Sequence, residues 1–361
     1  MPTRAKAAVM YGVNQPLVIE EIELDDPKPG EVLVKTGASG VCHSDLHFME
    51  GSYPTAVPIV LGHESAGTVA AVGEGVTNVA PGDRVVVAFV TSCGHCSNCV
   101  TGKPYLCENT QALGRADRVR LKGQPIPQFA NMSAFAEYQL VSANACVKVP
   151  EGVPLEAAAL VGCSVMTGVG AVANTAKVPV GATVAVVGCG GVGLNIIQGA
   201  RLAGASRIIA IDIVESKLAA AREFGATDVI DASAKDPVNE VIQMTGGGVD
   251  FAFEAIGLAK TAEQCFNMIK PGGRAVVVGM IPITQQVSVP GFGFLREKGI
   301  IGSFYGSTRQ TYDMPWLMEL YRQKRLKIDE LISKRWKLEQ INEAYEALKR
   351  GEVNRSVIVF D

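Results

Sequence analysis

The stretch Thr183-Val-Ala-Val-Val-Gly-Cys-Gly-Gly-Val-Gly193 decides the fold of this chain. Its apolar, β-branched start predicts a buried strand, which runs into the pattern Gly188-x-Gly190-x-x-Gly193 and then into an apolar helix. Gly188 permits a tight turn, Gly190 lets a pyrophosphate approach the backbone, and Gly193 allows close packing of helix on strand. The stretch therefore predicts a dinucleotide-binding loop.

Residues around this loop complete the predicted site. The free N–H groups at the helix start, where Gly191 and Val192 lie, attract phosphate. Asp212 ends the next predicted strand, where a carboxylate binds the ribose 2′-hydroxyl of NAD and repels the 2′-phosphate of NADP. Lys217 is a candidate contact to the adenosine ribose, or else an exposed helix lysine. NAD is thus the predicted cofactor, and a glycine-rich turn in an unrelated α/β protein is the alternative.

Outside the loop, the pattern of residue types changes at two points along the chain. Short β-rich runs broken by Gly, Pro and Asp fill the first 150 residues, for example 31–35 and 84–88. From about residue 156, apolar strands alternate with alanine-rich helices, which is typical of βαβ units in a parallel sheet. From about Tyr305 the tail differs again. The tail is predicted to contain an amphipathic helix at 338–350 and a strand at 356–360. In the middle segment, the parallel strands are expected at 183–188, 207–213, 228–230, 250–254 and 274–279.

Composition narrows the class of partner. The chain has 361 residues, of which 48% are hydrophobic, and its net charge of -3 provides no basic surface for nucleic acid or an anionic membrane. A small-molecule substrate is therefore expected. The amino terminus lacks the pattern of a signal peptide, which predicts a cytoplasmic protein. The uncharged stretch 178–200 is long enough to suggest a membrane span, but its glycines and Pro179 favour a buried strand, loop and helix.

The chain has nine cysteines and four histidines, and their clustering indicates metal binding rather than disulfides. One cluster offers four thiolates, enough to close a tetrahedral shell around a structural zinc ion. It consists of Cys93, Cys96, Cys99 and Cys107. His95 lies among these residues and is expected to be solvated. Cys146, Cys189 and Cys265 are interpreted as spare small hydrophobic residues.

A second candidate set, Cys42, His63 and Cys163, is dispersed in sequence. Three ligands of mixed sulfur and nitrogen type leave one zinc position free for water or a substrate oxygen, as a catalytic zinc requires. Spacing alone is weak support for this set, because a lone cysteine or histidine is more often structural.

Several motifs together resemble the zinc-dependent alcohol dehydrogenases of the medium-chain dehydrogenase/reductase family. They are CHSDLH at 42–47, GHESAGTVAAVGEGV at 62–76, the four-cysteine lobe, GCSVMTG at 162–168 and the glycine loop, in the family's order. The resemblance implies an α/β fold in which a Rossmann domain, 164–304, is inserted into a β-rich, GroES-like catalytic domain. That catalytic domain comprises 1–163 and is completed by 305–361.

The resemblance also implies an activity, the reversible transfer of hydride between a primary aliphatic, allylic or benzylic alcohol and NAD, giving the aldehyde. It implies two zinc ions per chain, the catalytic one held by Cys42, His63 and Cys163. Ser44 is expected to take the alcohol proton and pass it by way of the nicotinamide ribose to His47. The plainer interpretation makes Ser44 a turn residue and His47 a solvated side chain.

Further roles carried over from the family fall on neighbouring residues. Asp45 is expected to orient His63, and Glu64 to face either the zinc, as an occasional ligand, or a nearby arginine. His43 and Arg355 occupy the positions that contact the cofactor pyrophosphate. Ordinary salt bridges are the alternative for both carboxylates.

The substrate pocket is the least determined part. Tyr53, Phe89 and Phe135 match positions that line the family's alcohol cleft, although core packing is nearly as good an interpretation. A relative specialised for S-(hydroxymethyl)glutathione or a polyol is the rival enzyme, with basic loop residues as candidate anion anchors. These are Arg115, Arg118, Arg120 and Lys122. A non-catalytic zinc- and NAD-binding protein is the other alternative. Separately, the length of the loop 108–134 favours a homo-oligomer, either dimer or tetramer.

Overall fold

The computed structural model describes residues 2–110 and 118–361. The chain divides into two compact units. The terminal unit contains Met1–Cys163 and Arg309–Asp361, and the central unit contains Ser164–Thr308.

The described residues of the terminal unit begin with ten strands in chain order. They are β1 (Thr3–Met10), β2 (Val18–Leu24), β3 (Glu31–Val41), β4 (Ile59–Val60), β5 (Ser65–Val72), β6 (Arg84–Val87), β7 (Val119–Leu121), β8 (Gln124–Ile126), β9 (Tyr138–Ser142) and β10 (Cys146–Lys148). One five-stranded sheet has the order β4-β1-β2-β7-β8, with antiparallel pairing throughout. Within the described part of this stretch, two short helices lie among the strands, α1 (His43–Met49) and α2 (Ser97–Val100). Single 3₁₀ turns occur at Pro104–Leu106, Phe129–Asn131 and Ala143–Ala145.

A long helical stretch, Leu155–Ala176, follows the tenth strand. It contains α3 (Leu155–Leu160), a π-helical turn at Val161–Val165, α4 (Met166–Gly170) and a second π-helical segment at Ala171–Ala176. This stretch is long and apolar enough to cross a membrane, but 89% of its apolar window is buried inside the protein. Such burial is typical of a core helix.

The central unit is a six-stranded parallel sheet flanked by helices. Its strands are β11 (Thr183–Val187), β12 (Arg207–Asp212), β13 (Asp228–Asp231), β14 (Val249–Glu254), β15 (Ile269–Val277) and β16 (Gly299–Gly302). Its helices are α5 (Gly191–Leu202), α6 (Glu215–Phe224), α7 (Pro237–Thr245), α8 (Ala259–Met268) and α9 (Phe292–Leu295), followed by a 3₁₀ turn at Tyr305–Ser307. The order β13-β12-β11-β14-β15-β16 is the doubly wound arrangement, whose direction of winding reverses between β11 and β14.

All five parallel strands expected from sequence are present, and the uncharged stretch 178–200 is a buried strand, a loop and most of α5, as predicted. The sixth strand, β16, was not predicted. It is four residues long and has glycine at both ends, so neither its length nor its composition gave a strand signal.

The tail returns to the terminal unit. It forms α10 (Gln310–Arg322), β17 (Ile332–Trp336), α11 (Ile341–Lys349) and β18 (Arg355–Val359), with 3₁₀ turns at Asp329–Leu331 and Leu338–Gln340. The second sheet of this unit has the order β10-β6-β5-β3-β18-β17, and β9 also pairs with β3. The last strand therefore lies directly beside β3, antiparallel to it, with Ser356 opposite Val41.

Candidate active site

Three ligand residues converge in the terminal unit. Cys42 lies directly between β3 and α1, His63 lies between β4 and β5, and Cys163 lies in the π-helical turn. All three are buried, and one ligand atom from each lies within 4.8 Å of the others. A π-helical turn inside a helix is frequent at functional sites. The predicted catalytic set is thus brought together from three distant parts of the chain.

The donor set fits zinc. Two thiolates and one imidazole are the soft and borderline ligands that zinc prefers, and three protein ligands leave a fourth position open. Burial alone disfavours a thiolate. Nevertheless, hydrogen bonding to Cys163, together with the positive charges of Arg355 and His63, lowers the pKa of Cys42 well below its usual range. A thiolate that persists in a buried site is a ready metal ligand.

Asp45 orients the histidine ligand, as predicted. Its Oδ1 lies 3.0 Å from His63 Nδ1 and also accepts the backbone N–H of Gly62 at 3.0 Å. Burial lowers the pKa of His63, but Asp45 and Cys42 outweigh burial and raise it to about 10. An imidazole that donates Nδ1–H to a carboxylate keeps Nε2 as its ligand atom.

Glu64 and Arg355 form a buried ion pair beside this site. One prediction made Glu64 an occasional zinc ligand, but Glu64 does not belong to the cluster of three ligand residues. The alternative, a carboxylate facing an arginine, is the observed one. A buried guanidinium must be paired, which explains why Arg355 is held by Glu64 rather than projecting into solvent.

The predicted proton-relay residues both lie on α1. Ser44 Oγ is 3.7 Å from Cys42 Sγ, and His47 is half-buried with its ring 6.2 Å from that of Tyr53. Ser44 and His47 are three residues apart on one helix, so they share a face. His43, the predicted pyrophosphate contact, is exposed at the first position of the same helix.

Aromatic rings surround the histidine ligand. The Phe89 ring meets the His63 ring edge to face at 5.4 Å, and the Phe129 ring does so at 6.0 Å. Phe48 packs against Phe129 in a T-shaped contact at 4.8 Å. Sequence reasoning missed Phe48 and Phe129, because neither belongs to a motif with ligand spacing.

The structure corrects one pocket prediction. Phe135 is fully buried and packs against Tyr345 in the hydrophobic core of the terminal unit, so it is a core residue. Phe89, by contrast, lies against the ligand histidine, as the pocket interpretation expects.

The four-cysteine lobe is a closed site. Cys93, Cys96, Cys99 and Cys107 bring their sulfurs within 4.8 Å of one another, and the pairs Cys93–Cys99 and Cys96–Cys107 are each separated by 4.0 Å. Sulfurs around one tetrahedral zinc are separated by roughly 3.8 Å, given zinc–sulfur bonds of about 2.3 Å. The side chain of His95 is exposed and hydrogen-bonds the Cys93 carbonyl instead of joining the set.

Two thiols of the lobe differ in acidity from the other two. Backbone N–H groups, that of His95 foremost, lower the pKa of Cys93 to about 5, and backbone N–H groups also lower the pKa of Cys96. Burial raises the pKa of Cys99 to about 12 and raises that of Cys107. A cation is needed to hold all four as thiolates in one place, which is what zinc provides.

In the central unit, the glycine loop has the geometry that the sequence predicts. Gly188 has a φ of +95°, which favours glycine, and a Cβ at Gly193 would lie 1.8 Å from the Gly188 carbonyl oxygen. Apart from its chain neighbours, no described residue has an atom within 4 Å of the place where a Cβ of Gly190 would stand, so that backbone is open to a ligand. Helix α5 starts at Gly191, and its second residue is Val192. An open helix N-terminus of this kind suits a pyrophosphate.

Asp212 ends β12 as predicted, and its carboxylate also organises the loop. Oδ2 accepts the N–H of Cys189 at 2.8 Å, and Oδ1 accepts the N–H groups of Ile213 and Val214 at 2.8 and 3.1 Å. Lys217 lies half-buried in α6, five positions further on. The donor and acceptor set at this edge fits NAD.

Three cysteines lie outside both clusters and are buried, as expected. Burial raises the pKa of Cys146 to about 12 and also raises those of Cys189 and Cys265.

The predicted anion anchors have carboxylate partners. Arg118 is buried and pairs with Asp25 and Glu31, and Arg120 also pairs with Asp25. Lys122 pairs with Glu20, while Arg115 lies outside the described residues. Arg118, Arg120 and Lys122 therefore stabilise the fold around β2 and β7 and do not form a free cationic patch.

Comparisons with known proteins agree with this geometry. Residues 28–151 match the family model described as alcohol dehydrogenase GroES-like domain, and residues 191–323 match the model described as zinc-binding dehydrogenase. An alcohol dehydrogenase class-3 of Drosophila melanogaster is 41% identical over 98% of this chain and 97% of its own length.

Solved structures are similar over the full length. An alcohol dehydrogenase zinc-binding domain protein from Burkholderia ambifaria is 36% identical, with a TM-score of 0.95 over 100% of both chains. Benzyl alcohol dehydrogenase from Acinetobacter calcoaceticus is 33% identical, with a TM-score of 0.94 over 99% of this chain and 100% of its own. These matches confirm the predicted fold class, a Rossmann domain combined with a GroES-like domain, and the predicted cofactors, NAD and zinc. The chain belongs to the zinc-dependent alcohol dehydrogenases of the medium-chain dehydrogenase/reductase family.

Proposed function

We propose that this enzyme oxidises primary alcohols with an apolar skeleton, benzylic and allylic ones above all, to their aldehydes with NAD. The observation that carries the proposal is the pair of aromatic rings, Phe89 and Phe129, set edge-on against the ligand histidine His63. Aromatic walls bury apolar substrate surface and favour ring-bearing ligands through edge-to-face contacts. The similarity to a benzyl alcohol dehydrogenase supports the same substrate class.

Each proposed residue role follows from chemistry at a named atom. Cys42, His63 and Cys163 hold the catalytic zinc, which when bound supplies a Lewis acid for the alcohol oxygen. Asp45 keeps the His63 ring in position. The Ser44 hydroxyl accepts the alcohol proton while it passes its own proton on toward His47, which releases a proton to solvent. The four-cysteine lobe holds the structural zinc.

The cofactor site is proposed on the central unit. The glycine loop binds pyrophosphate, Asp212 binds the adenosine ribose, and Lys217 supports the same ribose. His43 and Arg355 are the proposed cationic contacts to pyrophosphate. Arg355 makes this contact while it stays paired with Glu64. We assign residues 1–163 and 305–361 to the catalytic domain and 164–304 to the NAD-binding domain.

A homo-oligomer, dimer or tetramer, is proposed from the surface of the central unit. Strand β16 is the edge of the parallel sheet, and apolar side chains near it in sequence are exposed, with Phe292 at 71% and Leu295 at 81%. Exposed apolar patches beside an unpaired strand edge are typical of subunit interfaces. Light scattering coupled to gel filtration tests this, and Leu295→Asp is expected to shift the enzyme toward the monomer.

The proposed location is the cytoplasm, because nine free cysteines that include two metal-binding sets need reducing conditions.

The test of the activity is an NAD-reduction screen with ethanol, hexanol, benzyl alcohol, geraniol and S-(hydroxymethyl)glutathione. We expect kcat/KM to be highest for benzyl alcohol or geraniol. Phe129→Ala is expected to reduce kcat/KM for benzyl alcohol more than for ethanol, whereas Tyr312→Ala, which changes an exposed aromatic residue of the same unit, leaves both unchanged. A preference for the glutathione adduct would replace the proposed substrate class by the rival one.

A further inference from the structure

A left-handed turn follows Phe129. Ala130 has a φ of 50°, Asn131 of 58° and Ser133 of 57°, and none of them is glycine. Asparagine tolerates this conformation, but alanine and serine rarely adopt it, because their Cβ atoms crowd the backbone. Such strain persists only where surrounding contacts enforce it, and it concentrates at functional sites.

Ser133 supplies the enforcing contacts. This residue is buried, its N–H donates to the Phe129 carbonyl at 2.9 Å, and its Oγ accepts the Phe129 N–H at 3.0 Å. Met132 N–H also donates to the Phe129 carbonyl, at 3.0 Å. Both backbone polar groups of Phe129 are therefore bound within its own turn.

Backbone hydrogen bonds also join this turn to the segment that carries the ligand histidine. Ala134 N–H donates to the Gly62 carbonyl at 2.9 Å, and Phe135 N–H donates to the Leu61 carbonyl at 3.0 Å. Gly62 has a φ of +92°, and a Cβ there would lie 2.7 Å from the Phe135 nitrogen. The backbone before His63 and the backbone after the turn are thus held in close contact.

We propose that Ser133 is a positioning residue that fixes the Phe129 ring beside His63 and so sets which alcohols the site accepts. The inference rests on the proposed function. Without the hydroxyl, the Phe129 N–H loses its acceptor, and the start of the left-handed turn loses the side-chain contact that holds Phe129. The ring then leaves its edge-on positions against His63 and Phe48, which changes the shape of the apolar wall.

The test compares Ser133→Ala with a matched control, Ser142→Ala. Ser142 Oγ also accepts a backbone N–H, that of Asn144 at 3.3 Å, at a turn of the same unit that does not hold Phe129. In Ser133→Ala we expect the ratio of kcat/KM for benzyl alcohol to that for hexanol to change roughly tenfold, the effect of misfitting one methylene in an apolar pocket. KM is expected to change more than kcat, and Ser142→Ala to keep the wild-type ratio.

A second readout does not depend on turnover. Hydrogen exchange of the Phe129 amide, measured on the zinc-loaded protein, is expected to accelerate roughly tenfold in Ser133→Ala and to stay slow in Ser142→Ala. Ser133→Gly removes the same acceptor but favours the positive φ. It is expected to show the same two changes, because the hydrogen bond to the Phe129 N–H, rather than the backbone conformation of residue 133, fixes the ring.

Two results would overturn the inference. The first is that both Ser133 variants keep the wild-type ratio of kcat/KM values and the wild-type exchange rate of the Phe129 amide. The second is that both variants fail to fold, which would assign Ser133 a purely structural role. The proposed function fails separately, if the wild-type enzyme reduces NAD with none of the apolar alcohols. The inference concerns only the difference between variant and wild type, whichever alcohol the wild type prefers.

Discussion

Asp45 and His63 are joined through a single carboxylate oxygen, Asp45 Oδ1, which lies 3.0 Å from His63 Nδ1. The same oxygen accepts the N–H of the residue before the histidine, so both the ring and its backbone are held from one atom. Asp45 itself is completely buried at the third position of α1. A residue of helix α1 thereby fixes the orientation of His63, a ligand residue on another segment of the chain.

Replacing Asp45 by Asn should weaken zinc binding at the three-ligand site by roughly 10- to 100-fold, the usual effect of removing such a hydrogen-bonding carboxylate. Zinc content measured during titration with a chelator checks this. Asp83→Asn is the control, because Asp83 also binds a backbone N–H in this unit but lies at a turn that holds no ligand. Equal zinc retention in Asp45→Asn and wild type would contradict the assignment.

Glu64→Gln should destabilise the protein by about 3–5 kcal/mol, because it leaves the buried charge of Arg355 without a partner. The double variant Glu64→Gln with Arg355→Met should recover most of that loss, since both charges are then gone. Urea unfolding of the three proteins measures the difference. If the single variant is as stable as the wild type, the pair has no structural importance.

Asp212→Asn should reduce the preference for NAD over NADP by roughly 10- to 150-fold, corresponding to loss of a charged hydrogen bond worth about 1.5–3 kcal/mol. The ratio of kcat/KM for the two cofactors is the measurement. Asp231→Asn is a matched control, because Asp231 ends the neighbouring strand β13 and also caps the backbone that follows it. A change of equal size in the control would show that the effect is not specific to Asp212.

Cys107→Ser should leave the protein with about one zinc ion per chain instead of two, because the four-thiolate shell loses a ligand while the three-ligand site stays intact. Metal analysis of the purified variant provides the count. Cys146→Ala removes a buried cysteine that belongs to neither cluster and should keep both ions. Loss of both ions from Cys107→Ser would mean that the two sites are not independent.

Local patterns predicted much of this protein. The glycine loop, Asp212 and the four-cysteine lobe are short-range motifs whose chemistry depends on neighbours in sequence, so their geometry could be anticipated. The set Cys42, His63 and Cys163 depends on tertiary contacts, and it could be proposed only because the chain resembles a family.

Other features had no signal in the local sequence pattern. Phe129 and Phe135 are six residues apart in one short segment, yet one lies beside His63 and the other lies in the core. The left-handed turn at 130–133 separates them, and no glycine marks it. The Glu64–Arg355 pair likewise joins residues far apart in sequence, which become neighbours only when β18 lies beside β3.

The position of β18 has a consequence for folding. β18 lies between β3 and β17, so the sheet beside the ligand residues is completed only by a strand that follows the whole central unit in sequence. The strands of the central unit all lie within one continuous segment, whereas pairing β18 with β3 requires the closure of a much longer loop. We therefore expect the central unit to form before this sheet is complete.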